Sequence, residues 1–186
     1  MHPLVSLAKK AVETYIKEGK IITPPEDLPK EFLQKKAGVF VTIEKKGELR
    51  GCIGTYLPVR ENIANEVIFN AIASATEDWR FGKIQKEELP ELSFIVYILS
   101  NPQPVKDLKE LDPKKYGVIV KTSPFLSLEN DVIFNGHQVP KTGVLLPDIE
   151  GVETVEQQIS IACQKAGIDP TKEKIFIYKF TVEKYQ

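Results

Sequence analysis

Residues 49 to 55, Leu-Arg-Gly-Cys-Ile-Gly-Thr, hold the densest chemistry in the chain. Read as a strand, the segment puts Arg50 and Cys52 on one face, because side chains alternate along a strand. A guanidinium in that position favours the thiolate, the reactive form of cysteine, and could clamp an anion. Gly51 and Gly54 remove side chains that would block an approaching ligand. Pro58, with a helix starting near it, would add backbone amides able to seat an anion. Against this, an isolated strand cysteine is ordinarily a small buried hydrophobe, and glycine near a strand end ordinarily marks a bulge or bend. The residues alone favour that structural reading.

The second cluster is Glu77-Asp78-Trp79-Arg80-Phe81, able to supply an acid or base and a charged clamp. An ion-paired helix terminus is the commoner use of such a group. Trp79 and Phe81 read as core or rim residues, or as an interaction anchor. His137 follows the turn pair Asn135-Gly136 with no acidic or second histidine partner nearby, and reads as a solvated turn residue. Cys163 falls on the apolar stripe of a helix and reads as core. Two cysteines and two histidines show neither a disulfide framework nor zinc-ligand spacing.

The elements that position these residues follow from periodicity. Leu4, Leu7, Ala8, Ala11, Val12, Tyr15 and Ile16 describe a helix ended by Gly19. A proline-rich connector and a short helical turn over 31–36 lead to a strand at 38–43. A three-residue loop, Lys45-Lys46-Gly47, would then pair Glu44 with Glu48. In that register Val39, Val41, Ile43, Leu49 and Ile53 form the apolar face, and Phe40, Thr42, Arg50 and Cys52 the other. Ile63, Val67, Ile68, Ala71, Ile72 and Ala75 make a second helix. The apolar run 92–99 reads as a strand covered on both faces.

Short strands are expected at 116–121, 125–128, 131–134 and 143–146, a possible small subdomain within 116–146. Thr154 and Gln157 form a capping box for a helix stopped by Gly167, and alternation over 175–182 describes one closing strand. Mixed hairpins and separate helices give an α+β fold, a largely antiparallel sheet packed with helices.

With 186 residues the chain can bury a real core as one domain, 1–186, and nothing in it divides the composition. A net charge of -1 with mixed signs gives no basic footprint for nucleic acid and no polybasic run for anionic lipid. No apolar run approaches the roughly 20 residues that cross a bilayer, and the start lacks a secretory pattern, so a cytoplasmic protein is expected. Walker A, Gly-x-Gly-x-x-Gly, Gly-x-Ser-x-Gly and His-Glu-x-x-His patterns are absent, which moves nucleotide hydrolysis, Rossmann cofactors, hydrolase elbows and zincin chemistry out of the front rank and leaves the cofactor open.

Taken in order, GVFVTIEKKGELRGCIGT, EDWRF, ELPELSFIVYILSNPQPV, LDPKKYGVIV and GVLLPDIEGVETVEQQISIACQKAGI resemble the AMMECR family, whose prokaryotic members are called AmmeMemoRadiSam system protein A. The resemblance covers nearly the whole chain. It implies an α+β fold with a larger part holding both termini and a smaller inserted part. It also implies a functional site at Leu49, Arg50, Gly51, Cys52, Ile53, Gly54 and Thr55, with Asp78, Arg80 and Phe81 as second candidates. Genes of the family accompany those of a Memo-like protein and a radical SAM enzyme, which implies partners in a shared pathway or modification. Trp79 stands where the family commonly has proline, Thr122 to Thr142 is longer than usual, and Lys141 replaces a frequent arginine.

The function expected is that of a small-molecule-binding or modification-pathway protein centred on Cys52 and Arg50, with Cys52 as nucleophile in one version. The alternative is a non-catalytic interaction module in which Cys52 only packs. A nucleic-acid-associated regulator comes third.

Overall fold

The computed structural model describes residues 1–123 and 140–186. The strands expected at 125–128 and 131–134, the Asn135-Gly136 turn and His137 lie outside the described residues. The chain divides into a larger unit, Met1–Leu99 with Glu183–Gln186, and an inserted unit, Ser100–Val182. Both are antiparallel sheets with helices, an α+β fold. The short strands of the 116–146 stretch belong to the inserted unit.

In the larger unit the apolar stripes form helices α1 (Pro3–Glu18) and α3 (Ile63–Thr76), with a short α2 (Lys30–Gln34) between them. They cover a sheet of β1 (Val39–Lys45), β2 (Glu48–Thr55), β3 (Leu92–Leu99) and β8 (Val182–Tyr185), ordered β2-β1-β3-β8, so β2 is an edge. Leu4, Ala8, Ala11 and Val12 of α1 and Ala64, Val67, Ile68 and Ala71 of α3 are buried against Val39, Val41, Ile43 and Val96. Each fully enclosed branched side chain contributes roughly 1.5–3 kcal/mol, which makes this stack the main stabiliser of the unit. Gly19 ends α1 with φ 69°, as its position predicts.

The inserted unit carries β4 (Gln103–Pro104), β5 (Gly117–Lys121), β6 (Thr142–Leu145) and β7 (Phe176–Phe180), ordered β4-β7-β5-β6, with α4 (Val155–Ala166) packed on β5 and β6. The Thr154–Gln157 capping box and the left-handed Gly167 form as expected, and Cys163 is core beside Ala162, Val118 and Val120. Lys141 donates to the Gly167 carbonyl and pairs with Glu173, so it serves the end of α4.

The single closing strand expected over 175–182 is instead two, β7 in the second sheet and β8 in the first. The break falls at Thr181, which exchanges hydrogen bonds with Ser100: its amide donates to the Ser100 hydroxyl, and its carbonyl accepts from the Ser100 amide, both at 2.9 Å. Alternation cannot reveal such a break, because both halves keep the strand period.

His2 caps α1: its Nδ1 accepts the Leu4 amide at 3.3 Å, and its ring stacks on Tyr185 of β8 with centroids 4.0 Å apart. Accepting that amide requires a neutral imidazole, and burial, helped by the nearby amino terminus, holds the His2 pKa below its ordinary 6.5. A group held neutral by the fold stabilises it above its unfolded pKa and loses that contribution as the pH falls below it. His2→Ala should therefore cost about 1 kcal/mol in urea denaturation above roughly pH 7, and the gap from wild type should shrink toward about pH 5. A gap that widens on acidification would refute the cap.

Candidate functional site

The β1–β2 hairpin differs from the expected register. Lys45 faces Glu48, and the turn is the two-residue pair Lys46-Gly47, with φ 55° and 84°. Positive φ at both turn positions is the pattern that matches strand twist in a tight hairpin. The shift replaces a repulsive Glu44–Glu48 pair with an attractive Lys45–Glu48 one. A bulge absorbs it: Ile43 faces Gly51 and Glu44 faces Leu49, leaving Arg50 without an opposing residue. Strict alternation therefore fails at this point, and Leu49, expected in the core, is 45% exposed.

Beyond the bulge the strand is held close to α3. A Cβ on Gly51 would lie 2.2 Å from the Ser74 carbonyl oxygen, and one on Gly54 would lie 2.6 Å from the Phe40 Cα. Internal packing thus accounts for both glycines of the segment. The Ser74 hydroxyl accepts the Ile53 amide at 2.8 Å and donates to the Val41 carbonyl at 2.7 Å, a facing pair of the β1–β2 ladder. Asn70 donates to the Val39 carbonyl at 3.0 Å, and Thr55 donates to Glu66 at 2.9 Å. The amides near Pro58 are not the start of a helix, since α3 begins at Ile63 behind its Asn62 cap. The Val59 and Arg60 amides both donate to the Glu66 carboxylate, so the expected anion seat is filled by the protein's own anion.

The structure brings the two candidate clusters together at Cys52. Its amide donates to Asp78 Oδ2 at 2.9 Å, and its carbonyl accepts from Arg80 Nη2 at 3.5 Å. Arg80 also grips both Asp78 oxygens, at 2.9 and 2.7 Å. Cys52 is half-buried, and the Thr42 hydroxyl, directly across the ladder, donates to its sulfur at 3.2 Å. Asp78 is 4% exposed, yet the Arg80 guanidinium, with the Cys52 and Arg80 amides, holds its pKa down to about 2. Arg80 is held up chiefly by its bond to Asp78, with a smaller contribution from Cys52. Trp79, flanked by these two, is 90% exposed, which removes the core reading and leaves the rim or anchor ones, and Phe81 is 38% exposed under the Arg80 guanidinium.

Arg50 looks elsewhere. Its Nε and Nη2 bind the two Glu88 oxygens at 2.9 Å each, and Nη1 and Nη2 also donate to the Gly82 and Lys83 carbonyls. An incoming anion would have to compete with Glu88 and both carbonyls. Glu88 is held down to about 2, first by Arg50. The cation next to Cys52 is therefore Arg80 rather than Arg50. Among the described residues no group of three His, Cys, Asp or Glu side chains could hold a metal, and no helix is long and apolar enough to cross a membrane.

Sequence reasoning missed Glu66, Asn70, Ser74 and Glu88. The first three recur every four residues along α3, a buried polar stripe beside the apolar one. That spacing was the available signal.

Gly51→Ala should cost about 2 kcal/mol or more in urea denaturation, because the new methyl meets backbone rather than a movable side chain. An unchanged midpoint would disprove the close approach. Asp78 is held below its ordinary 3.8, so its contribution is complete above that value and lost as the pH falls to about 2. The stability gap between wild type and Asp78→Asn should accordingly narrow over that window. A gap constant with pH would show that the charge is not what the fold uses.

Comparison with known proteins agrees with this architecture. The AMMECR1 family model matches residues 5–185. A Thermotoga maritima protein is 48% identical over 186 residues, covering 100% of this chain and 98% of that protein. A Clostridium acetobutylicum protein is 42% identical over 185 residues, 99% of this chain but only 36% of that longer protein. The crystal structure of uncharacterized protein PH0010 from Pyrococcus horikoshii is similar with a TM-score of 0.81 at 32% identity, covering 97% of this chain and 88% of that one. With the family match running nearly end to end and a shared fold beneath it, this chain belongs to the AMMECR1 family.

Proposed function

We propose that this chain is a small-molecule-binding or modification-pathway protein whose working group is the Cys52 thiol. The observation that carries this reading is the backbone of Cys52: its amide and carbonyl are both bound by the Asp78–Arg80 pair, while the residue is only partly buried. A cation beside a thiol favours the thiolate, and Arg80 supplies it. Leu49, Gly51, Ile53, Gly54 and Thr55 shape the strand around this group, and Phe81 lies on its Arg80 side. Arg50 acts as the tie from the bulge to Glu88. The partners fitting the family resemblance are a Memo-like protein and a radical SAM enzyme, met in the cytoplasm.

A second reading is favoured by one observation, the exposure of Trp79 and Phe81 beside the same strand. Here the segment is a non-catalytic docking surface and Cys52 only packs. Exposed aromatic anchors of this kind dominate binding energy at interfaces.

Alkylation with iodoacetamide under native conditions, read by peptide mass spectrometry, separates the two. Cys52 should react about tenfold faster or more than core Cys163, whose pKa burial pushes up. Arg80→Gln should slow Cys52 most near neutral pH, where the thiolate fraction depends on the neighbouring charge. If Cys52 is as inert as Cys163 in the folded protein, the thiol reading fails and the docking surface stands.

A further inference from the structure

Two side chains one helical turn apart, Ser74 at the end of α3 and Asp78 just beyond it, take the consecutive amides of Ile53 and Cys52. Consecutive strand amides point in opposite directions, so the two bonds grip β2 from opposite sides. Asp78 holds the outward amide on the sheet edge, and Ser74 holds the amide facing β1. The Ser74 hydroxyl also reaches the Val41 carbonyl, and Val41 and Ile53 are the residues directly beside Thr42 and Cys52. Ser74 is therefore bonded next to both members of the Thr42–Cys52 pair that sets the thiol's hydrogen bond. It is 1% exposed, and its own carbonyl is the surface against which Gly51 is pressed.

We propose that Ser74 is a positioning residue for the Cys52 site: through the Ile53 amide and the Val41 carbonyl it fixes the distance and orientation between the Thr42 hydroxyl and the Cys52 sulfur. The inference rests on the reading of Cys52 as the working group, but its mechanical part, the clamp on two amides, stands without it. The other polar residues of the same helix face act farther along the strand. Asn70 binds the Val39 carbonyl and Glu66 binds Thr55, each three residues from the Thr42–Cys52 pair along the paired strands. Their loss should weaken the seam without moving the thiol.

The test compares wild type, Ser74→Ala and Asn70→Ala by two readouts, iodoacetamide alkylation of Cys52 over a pH series and amide hydrogen exchange at Cys52 and Ile53. Ser74→Ala is expected to shift the Cys52 alkylation rate by about tenfold and to speed exchange at both amides by about tenfold or more, while Asn70→Ala lowers the thermal midpoint but leaves the Cys52 profile within about twofold. If Ser74→Ala lowers the thermal midpoint with an unchanged alkylation profile and unchanged exchange at the two amides, Ser74 is merely structural and the inference is overturned. If wild-type Cys52 does not react at all, the thiol reading fails instead, and the exchange readout still decides the clamp. Should Ser74→Ala not fold, exchange in wild type serves: both amides should be protected about a hundredfold or more relative to an unfolded chain, and unprotected amides would overturn the clamp.

Discussion

The edge strand of the larger unit is held by the buried carboxylate of Asp78. Asp78 sits just past the end of α3 and is almost fully withdrawn from water, and an ion in that position must be paired and hydrogen-bonded or be lost. It meets the requirement with the Arg80 guanidinium on one side and the Cys52 amide on the other. The bond to the Cys52 amide, with the one from Arg80 to the Cys52 carbonyl, ties the turn after α3 to the outer edge of the sheet. A helix end, a loop and an edge strand thus share one electrostatic knot, which closes on the backbone of Cys52.

An edge strand leaves a row of backbone groups unpaired, which proteins blunt in several ways. Here the blunting is done by side chains from the segment between α3 and β3. Asp78 and Arg80 cover the outward amide and carbonyl of Cys52, and Glu88 draws in Arg50 at the bulge together with Lys45 of the neighbouring strand. On the inner side α3 presents Glu66, Asn70 and Ser74 to the same hairpin, each nearly or fully buried and each bonded to strand backbone or to Thr55. The LRGCIGT segment is therefore enclosed on both sides by polar groups. Gly51 and Gly54 belong to this enclosure, since each stands where a side chain would strike backbone.

Some of this was legible in the letters of the chain and some was not, and the division has a physical cause. Helices α1, α3 and α4 could be read because their apolar stripes, the Thr154–Gln157 box and the glycines at 19 and 167 act within a few residues of one another. The hairpin register could not be read from alternation alone, because a bulge at Arg50 resets the period and the competing turns differ by one residue. The closing segment misled for the same reason: a strand that leaves one sheet at Thr181 and enters another keeps an unbroken period of two.

By itself, the sequence determined the α+β class, the positions of the helices and the family pattern, since these rest on local periodicity and residue type. Tertiary structure alone decided which groups meet Cys52. Sequence neighbourhood suggested Arg50, two residues away, but that side chain is drawn to Glu88, and the cation bound to the Cys52 backbone comes from Arg80, twenty-eight residues on. Charge pairs form between whatever side chains the fold brings within a few ångströms, and that closeness is set by α3 crossing the hairpin, which no count of residues along the strand contains.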